Sequence, residues 1–309
     1  MASPAASTPA AGDRIESHVW RIAGVVILGM IMTILDTTIV NVALHTLGRE
    51  LHSTISQIQW VVTGYLLALA AVIPVSGWAA RRFGARRMYL TSIVLFTLGS
   101  ALCGLATTTT SLVLFRVLQG IGGGMTMPIG QMIMAHVAGP QRMGRVMGVI
   151  AMPAMLAPVF GPMIGGVILE GLHWSWIFYV NVPIGMLAVV LTLRLVPDID
   201  LGASGGLDVL GLVLLATSGP LVVYGLSEIS STGSFTAPTV LWPILGGLLL
   251  AGIFVASARS AERPLLDVRL YSSRVFAAAS ATTFFVAAAL FGAMILLPLY
   301  FQEVRHESV

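Results

Sequence analysis

An aspartate and an arginine stand inside stretches of chain that are otherwise oily. Asp36 lies in "ILDTTIVNVAL" (34–44), and Arg116 in "SLVLFRVLQGIGGGMTMPIG" (111–130). Within a membrane, an ionisable group near the middle of an apolar helix costs about 2.5–3.5 kcal/mol on insertion scales. Counted from the same side, Asp36 is about 8 residues from the end of its run and Arg116 about 5 from the end of its own, or roughly 12 and 8 Å at helical rise. These depths are compatible with a pair. Burial penalises the charged form of the acid and a neighbouring guanidinium favours it. A carboxylate under both pulls can take up and release a proton, and proton coupling is the chemistry expected of Asp36 and Arg116. The competing reading is an ion pair, or an aspartate bonded to Thr37, Thr38 or Asn41, that only fixes helix packing.

The elements that must position this pair follow from composition. The 309 residues are 57% hydrophobic and 9% charged, whereas soluble domains carry about 25% charged residues. Apolar runs long enough to cross a hydrocarbon layer recur along the chain. They predict an all-α, polytopic membrane protein with nine spans, at 20–44, 57–80, 88–106, 111–135, 145–169, 174–195, 207–227, 239–258 and 275–300. All 16 basic residues are arginines. Arg81, Arg82, Arg86, Arg87, Arg142, Arg145, Arg194, Arg259, Arg263, Arg269 and Arg274 fall on one set of alternating connections, and Arg49 and Arg305 on the other. The positive-inside rule makes the first set cytoplasmic and, with Arg14 and Arg21, places the N-terminus inside.

The organisation expected is a disordered cytoplasmic tail at 1–19, a six-helix bundle at 20–195 and a Pro/Gly/Asp-rich cytoplasmic linker at 196–206. Two additional helices follow at 207–258, then a cytoplasmic loop at 259–274 and a lone span in 275–309. A six-helix unit followed by a pair and one span reads as a complete half and the start of another, as in transporters built from repeated bundles. Cys103 is the one cysteine, so a disulfide framework or thiolate metal site is excluded. His45, His52, His136 and His173 have no ligand spacing, and no metal is expected. A chain without lysine cannot hold a GxxxxGK[ST] nucleotide loop, and neither an enzyme nor an ATP-driven pump is indicated.

Further residues stand out around the pair. Gln119 lies about one turn from Arg116, and Gly120, Gly122, Gly123 and Gly124 let a neighbouring helix approach. "GVIAMPAMLAPVFGPMIGGVI" stacks Gly148, Pro153, Pro158, Gly161, Pro162, Gly165 and Gly166 in the fifth span. Proline removes a backbone donor and glycine removes a side chain, so a bent, small-faced helix at a moving interface is expected. The short loop "GWAARRFGARRMYL" gathers Gly77, Gly84, Arg86 and Arg87 with Arg81 and Arg82. Methionines crowd the fourth and fifth spans, where they either fill apolar space or line an adaptable pocket. Asn41, Gln119 and Met127 are the candidates for a substrate cavity.

Together these segments resemble the major facilitator superfamily, in particular its fourteen-helix drug:proton antiporter branch. "LDTTIVNVAL" is similar to the branch's first-helix motif at Asp36 and Asn41, and "LVLFRVLQGIGGG" to the fourth-helix motif at Arg116, Gln119 and Gly120. The fifth span is similar to the antiporter motif at Gly148, Gly161, Pro162, Gly165 and Gly166. "HWSWIFYVNVPIG" and "LPLYFQ" are similar to sixth- and ninth-helix segments. The chain departs from the pattern at Arg81, where the family loop carries an acid, so the loop's gate ion pair cannot form in the same way. It departs also at Ala157, His45 and Ser175. The resemblance implies a proton-coupled exporter of drugs or other amphiphilic small molecules in the cell membrane, driven by the proton gradient without a cofactor. It implies no nucleic-acid partner and, if the source is Gram-negative, a periplasmic adaptor. A non-transporting scaffold or sensor, and a uniporter or importer of a metabolite, are the alternatives on the same fold. The family's five further helices would make this a C-terminally truncated chain, unable to transport alone.

Overall fold

The computed structural model describes residues 15–199, 201–202, 206–261 and 264–299. The first fourteen residues of the expected tail, parts of both basic-side linkers and the "YFQ" of the last motif lie outside the described residues. Helix α1 (Ser17–Glu50) is followed by α2 (Ile55–Phe83), α3 (Ala85–Gly104), α4 (Thr109–Ala138) and α5 (Pro140–Gly171). A broken span, α6 (Trp176–Tyr179) and α7 (Asn181–Leu195), precedes α8 (Val209–Thr232), α9 (Pro238–Ser260) and α10 (Arg274–Leu299). Among the described residues, eight helical stretches are long and apolar enough to cross a membrane, with α6 and α7 counted as one. Where the ninth span is expected lies α10, whose apolar stretch Arg274–Ala289 is, among the described residues, shorter than the roughly 20 needed.

Sequence and structure differ at several edges. The tail ends earlier than residue 19: α1 starts at Ser17, because Val19 and Ile22, on one helical face, are both drawn into the core. The sixth span is two helices, because Pro183 has no N–H for the Tyr179 carbonyl one turn earlier. The start of the linker is part of the fold: Val196 and Ile199 are buried in the same apolar cluster as Val26, Phe96 and Ile133.

Helix α4 is central, packed along α2 on one side and α3 on the other. Its glycines make that possible. A β-carbon at Gly120 would lie 2.5 Å from the Tyr65 carbonyl of α2, and one at Gly124 would lie 2.6 Å from that of Leu69. One at Gly122 would strike the backbone of Phe96 and the Ser92 carbonyl of α3. From the opposite direction, Gly99 of α3 admits the Gln119 backbone, where a β-carbon would lie 2.8 Å from the Gln119 Cα. Helix α5 packs along α1 through Gly161 and Gly165, which face Thr38 and Ile39. Gly148 and Gly166 of the same motif have open space where a β-carbon would go. Helices α8 and α9 form a pair, and α8 lies on α2.

The bundle holds two apolar clusters. One gathers Ile22, Val26, Tyr89, Phe96, Ile129 and Ile133, and the other Ile39, Leu47, Ile58, Val61, Leu112 and Phe178. Along α1, α2 and α4 the polar residues discussed below fall between them. Gly120→Leu is expected to destabilise the protein by at least about 1–3 kcal/mol through overpacking against α2. Gly166→Ala, with nothing to strike, is expected to leave stability within about 0.5 kcal/mol. Unfolding of both variants in detergent measures the difference.

Candidate functional site

Asp36 and Arg116 form a salt bridge in which both side chains are 0% exposed. Arg116 Nη1 donates to Asp36 Oδ2 at 2.5 Å and to Gln119 Oε1 at 2.8 Å. The Gln119 amide Nε2 donates back to Asp36 Oδ1 at 2.8 Å, and Asn181 Nδ2 donates to the same oxygen at 3.0 Å. The carboxylate therefore accepts three hydrogen bonds, two from α4 and one from α7. Each lands on an ionised acceptor, the stronger kind of hydrogen bond.

The guanidinium is held independently. Arg116 Nε donates to the Val61 carbonyl of α2 at 3.2 Å, and its Cζ sits 4.0 Å from the centre of the Tyr65 ring. The ring face offers a cation–π contact in a dry setting. The glycines explain this reach. Gly120 lets the backbone of α2 come against α4, which brings the Val61 carbonyl to Arg116, and Gly99 lets α3 come against Gln119, whose Oε1 accepts from Cys103 Sγ at 3.6 Å.

Asn181 is the first residue of α7, next to the break at Val180. Its Nδ2 also donates to Ser100 Oγ of α3 at 3.1 Å, and Ser100 in turn donates to the Phe178 carbonyl at 2.9 Å. Five helices, α1, α2, α3, α4 and α7, thus meet at one polar knot closed off by apolar clusters on both sides. Three buried polar atoms of these residues are without a hydrogen-bond partner among the described residues: Arg116 Nη2, Asn181 Oδ1 and the Tyr65 hydroxyl.

The candidates named from the sequence separate into several places. Asp36, Arg116 and Gln119 meet in the knot, so Gln119 is an internal ligand of the aspartate and lines no open cavity. Asn41 is exposed, because five residues along a helix turn it about 140° from Asp36. Met127 is on the surface, 37% exposed. Gly161 and Gly165 form the α1–α5 contact, whereas Pro162 is exposed and Gly148 and Gly166 face open space. Gly84, with φ of 91°, makes the turn between α2 and α3, a backbone that favours glycine. Arg86 reaches away from that turn: Nη2 donates to the Leu193 carbonyl of α7 at 2.5 Å, and Nη1 lies 3.5 Å from Asp198 in the linker. Arg81, Arg82 and Arg87 line a cavity of about 430 Å³ at the turn together with Asp198 and Ile199 of the linker, and Gly77 is half-buried near Arg81.

Asn181, Ser100 and Tyr65 were missed from the sequence. The signal for Asn181 was present in "FYVNVPIG", a strong polar group inside a span and beside a proline, but a count restricted to ionisable residues passes over it.

A family model described as Major Facilitator Superfamily matches residues 26–309. The chain belongs to the major facilitator superfamily. Multidrug resistance protein B homolog of Mycobacterium tuberculosis is 43% identical over 297 residues, which cover 96% of this chain and 55% of that protein. Multidrug export protein EmrB of Haemophilus influenzae is 32% identical over 280 residues, 90% of this chain and 55% of its own length. The chain thus spans about half the length of these curated relatives. Among solved structures, the inward-open xylose transporter XylE from E. coli is similar, with a TM-score of 0.52 at 17% identity over 79% of this chain and 69% of that one. The human organic anion transporter MFSD10 gives 0.51 at 14% identity, over 68% and 56% respectively. Both share the major facilitator fold with this multi-span membrane protein.

Removing one partner of a buried pair strands the other, a loss of about 3–5 kcal/mol. Asp36→Ala is therefore expected to destabilise the protein by that amount, and Arg116→Leu added to it is expected to recover a large part. A double-mutant cycle on unfolding in detergent checks the coupling.

Proposed function

We propose that the protein exports amphiphilic small molecules, drugs among them, across the cytoplasmic membrane in exchange for protons, with its N-terminus in the cytoplasm. The observation that carries this reading is the sealed Asp36–Arg116 pair with its two amide ligands. A purely structural link between helices does not need an ionisable acid in an expensive location, whereas a proton carrier does. The relatives named for multidrug resistance and export support the substrate class. The arginine-rich connections support the orientation.

The proposed mechanism follows from the donors. In the ionised state Asp36 ties α1 to α4 and α7 through three hydrogen bonds. A proton on the carboxylate cancels its charge and gives it an O–H to place, so the three donors lose their ionised acceptor and the protonated oxygen turns a donor toward a donor. Arg116 does not have to leave, because the Val61 carbonyl, Gln119 Oε1 and the Tyr65 ring still hold the cation. Hydrogen bonds to charged groups contribute about 1.5–3 kcal/mol each. The difference between one protonation state and the other is therefore large enough to shift an equilibrium between two packings of α1. Helix α5, joined to α1 at Gly161 and Gly165, moves with it. Alternating access is then a rocking of the α1–α5 pair, with substrate and proton using opposite packings.

Gradient-driven efflux from proteoliposomes containing the full-length protein tests this directly. Asp36→Asn, which keeps the shape of the side chain but cannot titrate and puts an NH2 donor where one oxygen accepts, is expected to lower efflux driven by an imposed pH gradient at least about tenfold. Equal efflux from parent and variant would remove the proton role of Asp36. An absence of flux for every amphiphile tried, with a folded parent protein, would favour the scaffold reading.

A further inference from the structure

At the end of the bundle opposite the arginine-rich turn, α2 and α8 face each other with polar and aromatic side chains where two helices in lipid would ordinarily present small or apolar ones. Gln59 and Trp60 of α2 each stand one turn before Thr63, at four and three residues, and the three form a stripe. Tyr224, Ser227 and Glu228 of α8 have the i, i+3, i+4 spacing that turns them to the same side. Between the two stripes is an open cavity of about 270 Å³. The Trp60 and Tyr224 rings stack with centroids 6.4 Å apart and planes inclined by 30°. Helix α8 is held in this orientation from behind: Gly225 lies against α9, where a β-carbon would meet the Val240 carbonyl at 2.9 Å.

The chemistry of the walls is selective. Among the described lining residues, Glu228 supplies the one carboxylate and there is no arginine or histidine. Aromatic faces attract cations through their quadrupole, and more so beside a carboxylate at the edge of a low-dielectric layer. Hydroxyl and amide groups can order water around the charge. The stacked rings are too close to admit a guest between them, so a ligand would lie against the pair, with its apolar body on the indole and phenol and its charge toward Glu228.

From this we propose a binding site for lipophilic organic cations between α2 and α8, separate from the Asp36 knot. The site does not depend on proton coupling, and it gives the added helix pair a role in recognising cargo at the surface of the bundle. An aromatic belt residue at a membrane boundary would account for Trp60 alone, but not for a walled cavity with a carboxylate on the facing helix.

Equilibrium binding of tetraphenylphosphonium to the purified full-length protein in detergent, with no gradient, is the test. Tetraphenylborate, nearly identical in shape and opposite in charge, is the control. The parent is expected to bind the cation and to discriminate against the anion. Glu228→Gln and Trp60→Leu are each expected to raise the cation Kd about tenfold. Equal binding of cation and anion, or an unaltered Kd in both Glu228→Gln and Trp60→Leu, would overturn the proposal. Photolabelling of the parent with an aryl-azide phosphonium gives an answer that needs no variant to fold: label on the segments around Trp60 and Tyr224 supports the site, and label confined to other helices rejects it.

Discussion

A carboxylate and a guanidinium cut off from water have only each other and a few neutral dipoles to replace their hydration, and the whole bundle is arranged around that demand. Asp36 is served by donors on two helices and Arg116 by a carbonyl and a ring on a third. In such surroundings a satisfied network is rigid and an unsatisfied one is costly, because the low dielectric strengthens both outcomes. The pair therefore does two things with one set of atoms. It registers α1 against α4 and α7, and it makes that register depend on a single charge.

The demand reaches the sequence as a requirement for absent side chains. Arg116 can touch the backbone of α2 only if the helices almost meet, which is why Gly120, one turn beyond Arg116, has the Tyr65 carbonyl where its β-carbon would be. The same logic on the other flank places Gly99 against the backbone of Gln119. The glycines of α4 are thus part of the ion pair's coordination in an indirect sense, since they set the distances at which its partners stand. Gly161 and Gly165 extend the arrangement to α5, so that a helix with no direct bond to Asp36 is packed closely against α1 at Thr38 and Ile39.

Much of this was legible before any coordinates. Asp36 and Arg116 announce themselves because charge in an apolar run is rare and expensive, and their matched depths follow from counting residues along two antiparallel helices. The order of the spans follows from run length, although the break of the sixth into α6 and α7 does not. Other parts were not legible, for identifiable reasons. Asn181 carries no charge and so leaves a fainter signature, and its meeting with Asp36 depends on how α7 packs, which periodicity does not encode. Asn41 shares a motif with Asp36 yet faces elsewhere, since a five-residue step is a poor fit to 3.6 residues per turn. Gly148 and Gly161 look alike in a string, and only packing tells the contact glycine from the open one. The linker read as polar punctuation because Pro, Gly and Asp dominate it, whereas Val196 and Ile199 carry it back into the core.

Helix α7 offers one more consequence. Its 15 residues, a rod of roughly 22 Å, are fastened at the first residue by Asn181 to Asp36 and at the far end by Arg86, which grips the Leu193 carbonyl and Asp198. Mechanically this is a beam clamped at both ends. Neutralising the aspartate would loosen the first clamp, where Asn181 keeps its bond to Ser100, and leave the other intact, so that the beam would act more like a cantilever anchored at the turn between α2 and α3. Displacement would then be greatest beside the break at Val180 and smallest where the chain leaves for α8, so the inner helices could rearrange while the connection to the outer pair stays still.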